Sequence, residues 1–456
     1  MGKKTALLSL LVLALGLIAC GGGDNGAKPE GTPGGPVHIT LWHSEFAANG
    51  EAIEKLVGQF NASQTEVQVE VIFQGIDYFE TLNKLVASLG SGEVPNLLLQ
   101  AEQQTGFIAD LGAAVPVQQF VDGDGYDLSD FDQKAVDYYT IEGRLYPMPF
   151  TISVPMIFYN KVAFREAGLD PDHAPATLEE VREASQTLLK RDDSGNVTRS
   201  GIVLEVNNWY VHQVHALQGE PVVDNDNGRD GRPSEALFDG PTGQRLFQWW
   251  DQMLEEGLAY NVGRNPSGID NFTAVSSGRA AMTLTASSAL RSVVNVLERG
   301  SEGKLELGTG IFPGFADGKG GPLMGGLALW VLDASDEEEA AAWKFVRWLL
   351  EPPQQAQWFS DTGYLPVRLS AYDLEPSQRV MEEYPHFRLP VEAYLAAPST
   401  RATQGALLGP AAQVAEAIER AAEDMVLGGK DPVEAVKDAA AEADRIIAEY
   451  EGSLKR

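Results

Sequence analysis

Between Val37 and Gln100 the hydrophobic pattern keeps changing period, and few folds accept such a chain. The stretches 37–44 (VHITLWHS) and 67–73 (VQVEVIF) alternate in the manner of strands. Between them, Ile53, Leu56, Val57 and Phe60 recur at helical spacing. A second amphipathic helix, starting at YFETLNKLVASLGSG, closes on a glycine cap. PNLLLQ (95–100) is a short continuous apolar run of the kind a buried parallel strand needs. Strand–helix–strand–helix–strand is a doubly wound α/β unit, because parallel strands require a crossover between them.

The alternation continues beyond this unit. Strands are expected at 154–160, 278–285 and 325–332, with helices near 161–167, 177–190 and 288–298. Leu246, Trp249, Trp250 and Leu254 mark one face of another helix, and Pro352 and Pro353 break and restart a later one. Two helices close the chain near 410–426 and 432–449. The 420 residues after Pro36 exceed one usual core, so two domains are expected.

The first residues have another use. Lys3 and Lys4 precede an apolar run from Ala6 to Ala19, shorter than the roughly 20 residues a bilayer span needs. Residues 1–19 are therefore expected to be a secretory signal. Leu17–Cys20 resembles a bacterial lipobox, in which the cysteine is lipidated and becomes the first mature residue. Cys20 is the only cysteine in the chain, so it closes no intramolecular disulfide. The Gly/Pro-rich stretch 20–36 reads as a flexible tether. These features predict a body held outside the cytoplasm by a lipid anchor.

Composition narrows the partners. A net charge of −31 disfavours nucleic acid, which needs a basic face, and opposes self-association, so a monomer is expected. Signatures of catalysis are scarce: no G-x-S-x-G elbow, P-loop or H-E-x-x-H occurs. His212 and His215 lie three apart but lack an evident third ligand. The loops 122–130 (DGDGYDLSD) and 224–231 (DNDNGRDG) echo calcium loops, yet Tyr126 and Gly228 stand where the fifth-position ligand belongs. They read as solvated loops. Aromatic and small polar residues stand out at strand ends and loops, among them Tyr78, Ser153, Trp209, Ser287 and Tyr364. Such a set suits a sugar or polyol, whose C–H faces stack while its hydroxyls hydrogen-bond. Trp330, inside a strand, is expected in the core.

The motifs WHS (42–44), YFETL (78–82), PFTISVPMIFYNKVAFREAGLDP (149–171), AMTLTASSAL (281–290), GGLALWV (325–331) and TGYLPV (362–367) together resemble the family 1 extracellular solute-binding proteins of ABC importers. Within them the similarity is greatest to the periplasmic glycerol-3-phosphate binders. The resemblance implies an α/β, type II-like fold of two lobes joined by crossover strands at a hinge. Expected bounds are 37–150 with 327–362 for the N-terminal lobe, and 151–326 with 363–456 for the C-terminal lobe. It implies a small-molecule solute and permease subunits as partners, no cofactor, no metal and no chemistry on the solute. Carried over position by position, its ligand contacts fall on Tyr78, Glu102, Ser153, Ser287, Gly326 and Tyr364, with Ser288 or Ala286 in place of Ser287 if the register slips by one. Trp209 joins them from the aromatic pattern. One position departs: Ala415 stands where glycerol-3-phosphate binders carry a phosphate-pairing arginine, leaving Arg401 as the nearby cation. The rival expectation is a secreted glycoside hydrolase, whose mark would be two facing carboxylates.

Overall fold

The computed structural model describes residues 35–205, 207–261, 270–298 and 305–455; the signal at 1–19, Cys20 and most of the 20–36 tether lie outside the described residues. Two sheets organise the body from Val37 onward. The first runs in the order Leu365–Pro366, Met148–Ser153, Gly325–Leu332, Leu97–Ala101, Val37–His43, Val67–Phe73, with Ala114–Val115 also paired to Gly325–Leu332. Val37–His43 is parallel to both Val67–Phe73 and Leu97–Ala101, whereas Gly325–Leu332 is antiparallel to its neighbours. The second runs Ala259–Asn261, Val197–Leu204, Ala280–Ala286, Pro155–Asn160, Leu307–Ile311, its first three strands parallel.

Burial follows from position in the sheet. Val67–Phe73 lies at an edge and starts with alternately buried and exposed residues. Met148–Ser153, Pro155–Asn160 and Gly325–Leu332 are buried at every position, and read as continuous apolar runs because both faces are covered. Trp330 is a core side chain, packed with Leu82, Leu85 and Leu98. Among the described residues, no helix is long and apolar enough to cross a membrane.

The chain passes between the sheets three times. Val154 joins Met148–Ser153 to Pro155–Asn160, residues 312–324 lead back, and residues 397–410 lead forward again. The lobe bounds therefore differ from those expected. The expected bounds put 363–396 in the C-terminal lobe. Leu365–Pro366 instead pairs with Met148–Ser153 of the first sheet, while His386 further on bonds Thr309 of the second at 3.0 Å, so the stretch is shared between the sheets. The chain is back against the second lobe by Arg401, which bonds Asp226, and helix Ala411–Gly428 then adds Val414 and Ile418 to its core. A two-residue strand carries no hydrophobic period, so nothing local in 363–396 announces which sheet it serves. The expected helix at 288–298 is segmented into a 3-10 turn, one α turn and a π turn.

Candidate functional site

Three parallel strands of each sheet end on one cleft of about 410 Å³. In the first lobe, Val37–His43 leads to Ser44 and Glu45, Val67–Phe73 to Asp77 and Tyr78, and Leu97–Ala101 to Glu102. In the second lobe, Val197–Leu204 leads to Glu205, Asn207, Asn208 and Trp209. Ala259–Asn261 precedes the helix carrying Asn271, and Ala280–Ala286 leads to Ser288. The carboxyl ends of parallel strands are where open α/β sheets bind ligands.

The first-lobe wall is tightly built. Asp77 caps helix Tyr78–Ser91 by accepting from the amides of Phe79 at 2.8 Å and Glu80 at 3.3 Å, which sets Tyr78 at the helix start. The Tyr78 hydroxyl donates to Glu45 Oε1 and lies 3.5 Å from the Tyr364 hydroxyl. Asn49 Nδ2 donates to the other Glu45 oxygen at 3.0 Å. The Tyr364 ring is held by stacking on Trp358 at 5.8 Å between centroids. Glu102 accepts from the Gly326 amide at 3.1 Å. Burial pushes the Glu102 carboxyl up to about 7, partly offset by backbone hydrogen bonds, and burial likewise raises Glu45.

The second-lobe wall is amide-rich. Asn207 caps helix Asn208–Gln218, accepting the Trp209 amide at 2.7 Å, and so fixes that ring in the first turn. Trp209 packs edge-on to Phe312 at 6.2 Å. Glu205 accepts from Asn207 Nδ2 at 3.2 Å and from Asn271 Nδ2 at 3.3 Å, and Glu419 accepts from Asn208 Nδ2 at 3.1 Å.

Of the site residues read from sequence, Tyr78, Glu102, Ser153, Trp209, Gly326 and Tyr364 are all brought to this cleft. Ser287 is not. It is fully buried at the first crossover, its hydroxyl accepting the Val154 amide at 3.1 Å while its own amide donates to Val154 O at 2.7 Å. Ser288, one residue on, lines the cleft together with Ala286. Ala415 is buried in helix Ala411–Gly428. Arg401 does not line the cleft either: its guanidinium is held by Asp226 at 3.1 Å and Gln404 at 2.8 Å. His215 turns Nδ1 to Val211 O at 2.8 Å, and burial lowers His212 to about 4. Among the described residues, no group of three or more His, Cys, Asp or Glu is placed to hold a metal.

Sequence reading missed Glu45, Glu205, Asn207, Asn208, Asn271 and Glu419. Glu45 had a usable signal, as the first charged residue after the strand VHITLWHS, and Asn207 and Asn208 stood beside Trp209. Glu419 lies on an amphipathic helix and had none.

Residues 55–388 match the family model for bacterial extracellular solute-binding proteins. The chain belongs to this family. The sn-glycerol-3-phosphate-binding periplasmic protein of Pectobacterium atrosepticum is 30% identical over 91% of this solute-binding chain and 93% of its own length. That of Yersinia pseudotuberculosis is 29% identical over 91% and 94%. Among solved structures, UgpB from Mycobacterium tuberculosis in complex with glycerophosphocholine superposes with a TM-score of 0.76 at 22% identity, covering 91% of this chain and 99% of that one. The cyclic α-maltosyl-1,6-maltose binding protein from Arthrobacter globiformis gives 0.69 at 24% identity, with the same coverage. The fold is the two-lobed one of periplasmic binding proteins. These relatives are solute receptors and not enzymes, and the family's place is outside the cytoplasm.

Proposed function

We propose that this chain is the lipid-anchored receptor of an ABC importer, that it takes a sugar or related polyol in the cleft between its lobes, and that it delivers the solute to a permease. The observation carrying this reading is the meeting of six strand ends at one cleft whose walls combine rings with carboxylates and amides. Closing the lobes brings both walls onto the solute, and a ligand that touches both shifts the population toward the closed form. Each part has a role. Tyr78, Tyr364 and Trp209 supply flat faces; Glu102, Ser153 and Ser288 take hydroxyls; Gly326 holds Glu102 through its amide.

A glycerol-3-phosphate ligand fits this wall poorly. Among the described residues lining the cleft there is no Lys, Arg or His, so a phosphate meets no cation there. Calorimetry on the purified protein tests the reading. A saccharide should bind, and Tyr364→Ala and Trp209→Ala should each weaken it by roughly 1–3 kcal/mol, a factor of about 5 to 150. Affinity unchanged in both variants would move the site elsewhere. Turnover of glycosides by the protein would favour the hydrolase instead.

A further inference from the structure

We propose that the cleft selects a solute bearing a protonated amine among its hydroxyls, such as an amino-sugar oligosaccharide, over the neutral or phosphorylated polyol of the same shape. This rests on the reading of the cleft as the solute site. The first-lobe wall carries the inference.

Glu45 and Glu102 are both more than nine-tenths buried, and the donors that reach their side chains are neutral: the Tyr78 and Tyr364 hydroxyls and the Asn49 amide for Glu45, backbone amides including that of Gly326 for Glu102. Beside them stand further acceptors without donors. Gln104 Oε1, on a residue 2% exposed next to Glu102, has no hydrogen-bond partner, and neither has Asn49 Oδ1. Across the cleft Asn271 Oδ1, on a residue 5% exposed, is also unpartnered. Turning the Gln104 amide would present its nitrogen instead, but the Asn49 and Asn271 amides cannot be turned to cure this. Each already points its NH₂ group at a carboxylate, Asn49 at Glu45 and Asn271 at Glu205, and a flip would set oxygen against oxygen.

The surplus is therefore of acceptors, on both walls. A buried acceptor without a donor costs free energy, and a ligand that supplies the donor recovers it. A hydroxyl brings one donor and two lone pairs that need donors in return. An ammonium group brings three donors, no acceptor and a positive charge. Its hydrogen bonds to carboxylates are charge-assisted, and the rings of Tyr78, Tyr364 and Trp209 line the same cleft. A phosphate brings more acceptors and a negative charge to a wall already rich in both.

The test is a matched pair of trisaccharides titrated into the purified full chain: cellotriose and the β-1,4-linked glucosamine trimer, which differ in the 2-substituent of each ring. Glycerol-3-phosphate and glycerophosphocholine are titrated alongside. The expected result is that the glucosamine trimer binds at least 10-fold more tightly than cellotriose at low salt, and that 0.5 M NaCl erodes this preference. Glu102→Gln and Glu45→Gln, each first shown to melt cooperatively, should cut the preference to below 3-fold while changing cellotriose affinity less. Equal or tighter binding of cellotriose, or tightest binding of either phosphate compound, overturns the amine preference. If that ligand's affinity still falls in Tyr364→Ala, the cleft remains the solute site. If no probe binds, or none is sensitive to Tyr364→Ala, both readings fall together.

Discussion

Gly326 has φ +149°, and a Cβ there would overlap the carbonyl of Thr151 on the neighbouring strand. Only glycine lets the two strands approach while the Gly326 amide reaches Glu102. Gly326→Ala is expected to cost roughly 3 kcal/mol, through strain and a displaced strand, in a urea unfolding series. Glu102 itself makes stability depend on pH. Burial raises its folded value to about 7, above the ordinary 4.5, so the native state keeps a proton that the unfolded chain has lost. Its contribution is favourable at low pH and is lost as pH rises from about 4.5 through 7. Glu102→Gln should therefore gain stability relative to the parent between pH 5 and pH 8, read as the difference in melting temperature at each pH; a pH-independent difference would contradict the raised value. A different strain sits at Asn225, Asp226 and Asn227, all left-handed at φ 52°, 58° and 60°. Asn227 fastens the turn, accepting from the Val222 and Val223 amides and donating to Arg401 O at 3.0 Å. The turn belongs to the stretch whose sequence echoes a calcium loop, and its asparagines serve the backbone. Asn227→Ala, losing those bonds at a residue held left-handed, should cost about 3 kcal/mol in the same unfolding series.

At the scale of elements, the first crossover and the strand Ala280–Ala286 are tied by Ser287, while Ser288 faces the cleft. Two neighbouring serines thus do separate jobs, and paired variants distinguish them. Ser287→Ala leaves the buried Val154 amide without an acceptor and should lower stability by about 1–3 kcal/mol while leaving affinity in the folded protein unchanged. Ser288→Ala should do the reverse. Melting curves and calorimetry on both variants decide it. The strands themselves were legible: 67–73 and 325–332 match their expected bounds, because alternation or continuous apolarity reports burial on one face or two. Trp209 was singled out by its aromatic pattern, but the cap of its helix, Asn207, and the carboxylate of Glu419 across from it were not. A cap has a local signature; a partner 211 residues away has none.

At the scale of the molecule, three chain passages join the lobes, and the largest core cluster runs continuously through Val154 and Met156 at the first of them. Bending at these passages gives a testable motion. Saturating the protein with the tightest trisaccharide should reduce its radius of gyration in small-angle scattering, and an unchanged radius with binding proven by calorimetry would argue against closure. The anchor is a separate matter, proposed from the signal-like residues 1–19 and the lipobox-like Leu17–Cys20. Cys20→Ser should move the protein from the membrane fraction to the soluble one without altering its melting temperature.

Periodicity along the chain determined that this protein is α/β and that its early strands are parallel, because burial on one face or two leaves its mark residue by residue; length alone called for more than one core. Motif resemblance placed Tyr78, Glu102 and Tyr364, whose surroundings are local strand ends. Tertiary structure alone decided the rest: that Leu365–Pro366 joins the first sheet, that Ser288 rather than Ser287 reaches the cleft, and that Glu45, Asn271 and Glu419 line the same space. The physical reason is distance along the chain. A one-residue shift on a strand end reverses which side chain faces the ligand, and residues 45, 271 and 419 meet only through sheet order and the crossovers, which no local pattern encodes.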